Sequence, residues 1–321
     1  MSRLRVGVVR GGPSSEYLVS LKTGENVLRN LNAEKYIVND ILITPRGEWF
    51  MNGVHTDLAN IAHHIDIAWN AMHGTFGEDG KVQKQFEAFG LPYTGSGVLA
   101  SALGMHKAIA KERFKEAGLL VAKGYTVTSG GDLKQAAFQL FHDMHLPVIV
   151  KPVSGGSSVA TKIVHSFDDL QHALFEASTY GDILIEEFIV GKEATVCVID
   201  SGMQGEHFVL FPIEIVPPSK NEFFDYEAKY SGESKEICPG RFTLTTHSTL
   251  RDLATKAHQA IGARHYSRTD FIISDEGIYA LEINTLPGLT KESLMPKALK
   301  MGGIEFPQFL DHVIGLTMAG K

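Results

Sequence analysis

The chain has 321 residues, of which 44% are hydrophobic and 21% are charged, and its formal net charge is −7. This length fits two or three domains of roughly 100–200 residues each, and the acidic balance without a basic run argues against a nucleic-acid partner. No apolar run reaches the roughly 20 residues of a membrane helix, and the N-terminus lacks a signal-peptide pattern. Neither Cys197 nor Cys238 belongs to a CxxC pair, which suits a reducing cytoplasm and argues against disulfides or a zinc site.

The first segment, LRVGVVRGG at residues 4–12, has the pattern of a buried parallel strand that ends in a glycine turn. Ser14 and Ser15 can cap the next helix, and Glu16 would lie in its first turn, where the helix dipole favours a carboxylate. The segments YIVNDILIT, IDIAWNAMHG and GLPYTGSG continue the alternation of strands with helices or loops. We therefore predict a doubly wound α/β start.

An amphipathic stretch from Val98 to Gly118 predicts one long helix that leads into a second unit, with Gly118 as its stop. That unit ends near Gly181 and contains PVIVKPVSGGSSVATKIV, in which Lys151 precedes a Gly-Gly-Ser-Ser loop. In a Walker loop the lysine follows the glycines. The reversed order instead predicts a hairpin of strand, glycine loop and strand whose tip covers phosphates.

In the last third of the chain, the pattern of residues 182–200 predicts a strand, a turn and a strand. Residues 211–240 begin as a strand and continue as a polar loop rich in Pro, Gly and Ser. Loops longer than about 12–15 residues are commonly lids or disordered segments. A helix over residues 248–262 and a hairpin over residues 267–285 complete the chain.

If the turn of the final hairpin is the three-residue loop 275–277, two carboxylates lie opposite each other on adjacent strands. The predicted pairs on one face are Ser274–Ile278, Ile272–Ala280, Asp270–Glu282 and Arg268–Asn284. The opposite face would be the core face, with Phe271, Ile273, Tyr279, Leu281 and Ile283. Opposed carboxylates repel, so they need a cation, either Arg268 or Mg²⁺ that also binds substrate phosphates. The alternatives are a solvated polar face, or a four-residue turn that separates the two carboxylates.

Eight segments occur in the order of the D-alanine–D-alanine ligases of the ATP-grasp superfamily, which the chain resembles from residue 11 to about residue 294. They are GGPSSEYLVSLKTG, HGTFGEDGKVQ, LPYTGSGVLASALGMHK, VKPVSGGSSV, IEEFIVGKE, FDYEAKY, SRTDF and EINTLPGLTKESL. The resemblance implies an ATP-grasp fold of α/β and α+β class. Its parts would be an N-terminal substrate-binding α/β domain (1–97), a central α+β flap domain (98–181) and a C-terminal α+β domain with lid loop and metal site (182–321).

The same resemblance implies ATP-dependent ligation of two D-alanines through D-alanyl phosphate, for peptidoglycan precursors in the cytoplasm. It implies a homodimer and two Mg²⁺ ions, with Mn²⁺ as an alternative metal. The metal ligands would be Asp270, Glu282 and Asn284. The ATP ligands would be Lys107, Lys151, Ser157, Glu186, Phe188, Ile189, Glu193 and Lys229.

The substrate end follows from the resemblance in the same way. Catalysis would rest on Glu16, Ser157, Tyr230, Arg268 and Gly288, and D-alanine would bind to Glu16, His73, Ser293 and Leu294. Two departures are His106, where the family has aspartate, and Phe224, where it has tyrosine. His106 bears on the orientation of Lys107.

The choice of second substrate remains open at this stage. Tyr230 in EAKY favours an amine nucleophile, because this tyrosine is replaced in the ligases that prefer D-lactate. The alternatives are a ligase of the same fold for D-lactate or D-serine, and a nucleotide-binding module without turnover. A dinucleotide oxidoreductase is a weak third, because VGVVRGG lacks the GxGxxG pattern.

Overall fold

The computed structural model describes residues 3–156, 159–217 and 235–320. Its helices are α1 Tyr17–Asn30, α2 Leu58–His64, α3 Lys81–Ala88, α4 Val98–Met105, α5 Lys107–Glu116, α6 Leu133–Asp143, α7 Phe167–Ser178, α8 Leu244–Ile261, α9 Leu294–Met301 and α10 Phe306–Ala319. No helix within these ranges is long and apolar enough to cross a membrane. Ser157 of the glycine loop and residues 218–234 of the predicted lid loop, which include Phe224, Lys229 and Tyr230, lie outside the described residues. Residues 235–240 of that loop are described, and they begin with a short strand rather than a loop.

The strands form three sheets. They are β1 Leu4–Gly11, β2 Tyr36–Ile43, β3 Trp49–Met51, β4 Val54–Thr56, β5 Ile67–Asn70, β6 Gly124–Val127, β7 Val148–Pro152, β8 Lys162–Val164, β9 Ile183–Glu187, β10 Lys192–Asp200, β11 His207–Val209, β12 Ile213–Val216, β13 Lys235–Ile237, β14 Tyr266–Ser274 and β15 Gly277–Asn284. The sheet orders are β4-β3-β2-β1-β5, β6-β9-β7-β8 and β13-β12-β10-β14-β15, with β11 beside β10.

The predicted parallel strand at the N-terminus is confirmed. β1 pairs in parallel with both β2 and β5, and Val6, Val8 and Val9 are fully buried. The predicted cap of α1 is wrong in detail. Glu16 is itself the N-cap residue, and the Ser14 hydroxyl accepts a hydrogen bond from the Glu16 backbone N–H at 3.0 Å.

The single helix predicted for residues 98–118 is two helices, α4 and α5, separated by His106. His106 has an extended backbone (φ −94°, ψ 91°), and its Nδ1 accepts a hydrogen bond from the Ile109 N–H, which caps α5. The Lys107 N–H bonds the Val153 carbonyl at 2.9 Å. The helix therefore breaks because its backbone joins the strand end of β7, a tertiary contact that helical periodicity does not show. Gly118 has a φ of +79°, as its predicted role as a stop requires.

The central sheet contains the predicted strand–loop–strand hairpin, since β7 pairs antiparallel with β8 from Val148–Val164 onward. α6 and α7 contribute to one buried core with β7 and β9. The boundary at residue 182 stays a prediction. β9, which lies beyond it, pairs with β6 and β7.

The final hairpin confirms the acidic pair but not the turn. Ser274 pairs with Gly277 rather than Ile278, so the turn has two residues, and Phe271 pairs with Ala280. A register shift between Asp270 and Phe271 then restores the predicted pairs Asp270–Glu282 and Arg268–Asn284. The shift also changes the faces of the hairpin: Ala280 is fully buried and Ile272 is 5% exposed, whereas Tyr279 and Leu281 are only partly buried.

His265 connects the C-terminal sheet to the loop between α3 and α4. Its Nδ1 accepts a hydrogen bond from the Gly95 N–H at 3.0 Å, and the Arg264 Nε donates to the Gly95 carbonyl at 2.8 Å. Buried residues of the first and third sheets, among them Trp69 and Tyr266, belong to one core cluster. The N-terminal sheet is thus packed against the C-terminal sheet.

We expect this connection to weaken in acid. Burial lowers the pKa of His265 to about 4 from the ordinary 6.5, so the unfolded chain binds the additional proton between these values. Stability should therefore be complete above pH about 6.5 and should fall by up to a few kcal/mol as the pH drops to about 4. A His265→Asn variant, whose side chain tolerates the φ of +68°, should lose this part of the dependence. Urea unfolding at pH 7.5, 6 and 5 measures it, and identical pH slopes for the two proteins would contradict it.

Candidate active site

One member of the acidic pair of the final hairpin is held by Arg268, whose side chain is 16% exposed. Arg268 Nε and Nη2 donate to the two oxygens of Asp270, each at 2.9 Å. Thr195 Oγ1 donates to Asp270 Oδ1 at 2.5 Å. Burial lowers the pKa of Arg268, but the adjacent Asp270 charge more than offsets this and raises it above its ordinary value. Of the two cations predicted to compensate the carboxylates, the arginine is therefore in place on Asp270.

The second carboxylate faces a lysine and the glycine loop. Glu282 Oε2 lies 4.0 Å from Lys107 Nζ, and this ammonium donates to the Gly155 carbonyl at 2.5 Å. Asn284 Oδ1 accepts from the Leu286 N–H at 2.8 Å, which fixes the orientation of its amide. Lys107 thus joins the glycine loop to the acidic face.

A buried ion cluster lies behind this face. Glu186, 2% exposed, pairs through Oε2 with Lys151 at 2.6 Å and through Oε1 with Lys111, itself 4% exposed. Burial lowers the pKa of Lys111 well below its ordinary value, and the Lys151 ammonium lowers it further. The Glu186 carboxylate is therefore the acidic group that lies between the two buried lysine side chains.

A cavity of about 570 Å³ opens at the turn between β9 and β10. Phe188, Ile189 and Glu193, which were predicted to contact adenosine, line it together with Glu214, Ile215, Val216, Arg241 and Ile272. Arg241 forms an ion pair with Glu214 at 2.8 Å on its wall. The cavity has one apolar strip and several polar groups, as a site for a flat heterocycle and a ribose requires.

Glu16 lies where three segments meet. The position of a Cβ on Gly74 is 2.7 Å from Glu16 Oε2, and that on Gly156 is 3.0 Å from the same atom. The start of α1, the loop after β5 and the glycine loop are therefore in close contact. His73, 5% exposed, is held between Thr23 Oγ1 at 2.8 Å and Glu78 Oε1 at 3.0 Å. Burial lowers the pKa of His73, but the Glu78 hydrogen bond more than compensates and the pKa is raised.

A Gly74→Ala substitution should displace Glu16. The new Cβ would lie 2.3 Å from Ser14 Oγ and 2.7 Å from Glu16 Oε2, so the carboxylate must move. We expect kcat/KM for D-alanine to fall about 10–100-fold. The matched control is Gly90→Ala, because Gly90 also has a positive φ (+60°) but has nothing within 4 Å of its Cβ position. Equal losses in both variants would show that backbone strain, not Glu16, causes the effect.

The remaining predicted residues cluster at the start of α9. Ser293 is its N-cap residue and Leu294 its first residue, so the Leu294 N–H points out of the helix start. Ser293 Oγ accepts from the Thr290 N–H at 3.1 Å and lies 2.9 Å from the Cβ position of Gly288. Any side chain at Gly288 would strike Ser293, so glycine keeps this backbone accessible.

Two family models match the chain. The model described as D-ala D-ala ligase C-terminus matches residues 113–315, and D-ala D-ala ligase N-terminus matches residues 5–64 and 52–96. The chain belongs to the D-alanine–D-alanine ligase family. The predicted family, the ligase activity and the use of ATP are thereby confirmed.

Individual members of the family are similar over nearly the whole chain. The D-alanine–D-alanine ligase of Desulfotalea psychrophila is 40% identical over 98% of this chain and 95% of its own length. The D-Ala:D-Ser ligase VanG of Enterococcus faecalis has a TM-score of 0.87 at 30% identity, covering 98% of this chain and 100% of VanG. The Bacillus anthracis D-alanine–D-alanine ligase complexed with ATP has a TM-score of 0.82 at 32% identity, covering 98% of each chain. These structures confirm the predicted ATP-grasp fold.

Apart from the groups already described around Glu16, Glu186 and Ser293, the residues predicted from the family resemblance form two groups in the structure. Arg268, Asp270, Glu282 and Lys107 are brought together with the glycine loop, and Asn284 pairs across from Arg268. Phe188, Ile189 and Glu193 share the separate cavity. Their roles in this ligase stay predictions.

Lys111 was missed. Its one sequence clue is the spacing of four residues from Lys107, which places both lysines on the same side of α5. Lysines on helices are nearly always solvent-exposed, so this spacing does not show that Lys111 is buried beside Glu186.

Proposed function

We propose that this chain joins two D-alanines to D-alanyl-D-alanine through a D-alanyl phosphate, for peptidoglycan precursors, and works in the cytoplasm as a homodimer. The observation that carries the proposal is the acidic strand pair, compensated by Arg268 and Lys107 and next to a glycine loop, in a chain of this ligase family. We also propose three units, which are residues 1–97, residues 98–181 and residues 182–321.

The chemistry requires activation of a carboxylate. A carboxylate oxygen of the first D-alanine attacks the γ-phosphorus of ATP, and ADP leaves. The amine of the second D-alanine then attacks the acyl carbon, phosphate leaves and the amine loses a proton. The protein's part is to position these groups, to neutralise phosphate charge and to stabilise the tetrahedral oxyanion.

The acidic face fits a hard divalent metal. Asp270, Glu282 and Asn284 offer two carboxylates and an amide oxygen on adjacent strands, and the Asp270 and Glu282 side chains are 22% and 34% exposed. Oxygen donors of this kind suit Mg²⁺, which keeps positions open for phosphate oxygens. We propose that these residues hold two Mg²⁺ ions, or Mn²⁺, whose bound charge would neutralise the ATP phosphates.

ATP would lie between the cavity and the acidic face. Phe188 and Ile189 would contact adenine, Glu193 would bind the ribose hydroxyls, and Lys107 and Lys151 would contact the phosphates. Glu186 would contact the adenine edge while paired with Lys151. Ser157 and Lys229, which lie outside the described residues, would complete the phosphate contacts.

D-alanine would lie at the meeting point of Glu16, His73 and the glycine loop. Glu16 would bind the ammonium of the first D-alanine, and the Gly288 N–H together with Arg268 would stabilise the oxyanion. Ser293 and the Leu294 N–H would hold the carboxylate of the second D-alanine at a helix start, where the dipole favours an anion. Tyr230, outside the described residues, would close over the substrates with Ser157 and Glu16.

The second candidate is a ligase that takes D-serine as its second substrate. The similarity to VanG, a D-Ala:D-Ser ligase, favours testing it. D-lactate is a third nucleophile to test, although Tyr230 in the sequence favours an amine.

ADP release decides among these functions. The enzyme is assayed with ATP and Mg²⁺ plus D-alanine alone, D-alanine with D-serine, D-alanine with D-lactate, or L-alanine, and the products are identified by mass. We expect ADP release with D-alanine alone and one D-alanyl-D-alanine for each ADP. Mixed products in preference to this dipeptide would support the D-serine or D-lactate function. No release dependent on D-alanine would contradict both and would leave a nucleotide-binding protein.

A further inference from the structure

A second group of metal-binding side chains lies at the far end of β10 from Glu193. Asp200 ends β10, His207 begins β11 and His258 lies on α8. One ligand atom from each residue lies within 4.8 Å of the other two. His258 is 1% exposed, and the side chains of His207 and Asp200 are 10% and 23% exposed. The group is therefore built into the fold but open to solvent on one side.

The distances fit the edge of a tetrahedral metal site. His207 Nδ1 and His258 Nε2 each lie 3.0 Å from Asp200 Oδ1. Zinc–nitrogen and zinc–oxygen bonds of about 2.0–2.2 Å give ligand separations of about 3.3 Å at the tetrahedral angle. Each of these two contacts has to lengthen by about a few tenths of an ångström to admit the ion, and the two ring nitrogens lie within 4.8 Å of each other. The fourth position would face solvent.

Each ligand also has an outer partner. His258 Nδ1 lies 2.8 Å from Ser267 Oγ, and His207 Nε2 lies 3.1 Å from the Gln259 side-chain amide. The second Asp200 oxygen accepts from the His265 N–H at 2.5 Å. Such partners orient metal ligands.

The outer partners are compatible with either ring tautomer. Ser267 Oγ can donate to or accept from His258 Nδ1, and the Gln259 side-chain amide can donate to His207 Nε2 or, after it rotates, accept from it.

We propose that Asp200, His207 and His258 form a binding site for a late first-row divalent metal, and that the metal bound is Zn²⁺. Two imidazoles and one carboxylate select zinc and its neighbours over Mg²⁺, which prefers oxygen donors. The low cysteine content predicted no zinc site, but these donors are histidine and aspartate. The ion would tie β10, β11 and α8 together, far from the acidic face, and would raise the unfolding temperature.

The test is zinc binding by the full chain after chelation and buffer exchange. We expect one Zn²⁺ per chain by elemental analysis, a Tm that rises with added Zn²⁺, and a tetrahedral absorption spectrum with Co²⁺. A His207→Gln variant should bind zinc more than about 100-fold more weakly, because loss of an outer partner alone commonly costs 10–100-fold. Glutamine can keep a hydrogen bond to Asp200, and β11 is a short strand, so this variant should fold.

Two controls separate this site from other zinc-binding groups. His172→Gln removes an exposed histidine elsewhere and should leave the zinc affinity unchanged. Asp270→Asn alters the acidic face and should also leave this zinc in place. Equal zinc binding by His207→Gln and the parent, or loss of the tight zinc in Asp270→Asn, would overturn the proposal. The three residues would then be a hydrogen-bonded brace without a metal.

Discussion

Replacing Glu282 with glutamine should reduce ADP release dependent on D-alanine by about 10³-fold or more while the fold is kept. The amide has the same shape but removes one of the two negative charges that face the proposed metal. Glu282 is 34% exposed in its side chain, so its loss costs little stability. The assay is ADP release over a Mg²⁺ titration, together with thermal unfolding to verify folding.

The matched control is Glu276→Gln, on the exposed turn of the same hairpin. It removes the same charge from the same pair of strands and should keep near-parental activity. Comparable activity in Glu282→Gln and Glu276→Gln would remove Glu282 from the metal site. If high Mg²⁺ fully restores the activity of Glu282→Gln, the role of Glu282 is limited to metal affinity.

The second large effect is expected at the buried ion cluster. Lys111 and Lys151 are only 4% and 8% exposed, and Glu186→Leu removes the carboxylate that they share. Breaking a buried pair by removing one partner commonly costs about 3–5 kcal/mol, and here two buried lysines lose the carboxylate that they share. Urea unfolding should show a loss of at least this size.

A double variant tests the cause. Glu186→Leu with Lys111→Met also removes the buried Lys111 amino group and should recover part of the lost stability, although it lacks one more native side chain. Glu187→Gln, at the next position in β9, serves as the control and should cost much less. If the double variant is less stable than Glu186→Leu, the unpaired lysine is not the source of the loss.

The acidic pair shows how far sequence reasoning reaches. Alternation along the hairpin placed Asp270 opposite Glu282, and the structure has this pair. The turn, however, is one residue shorter than predicted, and a bulge beside Asp270 compensates. The bulge places Ala280 next to Phe271 in the core. Packing of this kind depends on residues distant in sequence, so turn chemistry alone could not show it.

Helix periodicity failed at His106 and Lys111 for a similar reason. His106 interrupts the helix because the chain pairs with the end of β7, some 45 residues later in the sequence. Lys111 of α5 is buried because it lies beside Glu186 of β9, which in turn pairs with Lys151 of β7. Both strands belong to the central sheet and are distant from α5 in sequence. The predicted phosphate lysine, Lys107, could be recognised from the motif around it, but the contacts that place it come from the tertiary fold.

The most direct test is a crystal structure of the enzyme with a non-hydrolysable ATP analogue and Mn²⁺, which is located by its anomalous scattering. We predict manganese peaks between Asp270, Glu282, Asn284 and the phosphates, with adenine in the cavity lined by Phe188 and Ile189. Manganese away from these three side chains, with the nucleotide bound in another part of the molecule, would contradict the proposed active site.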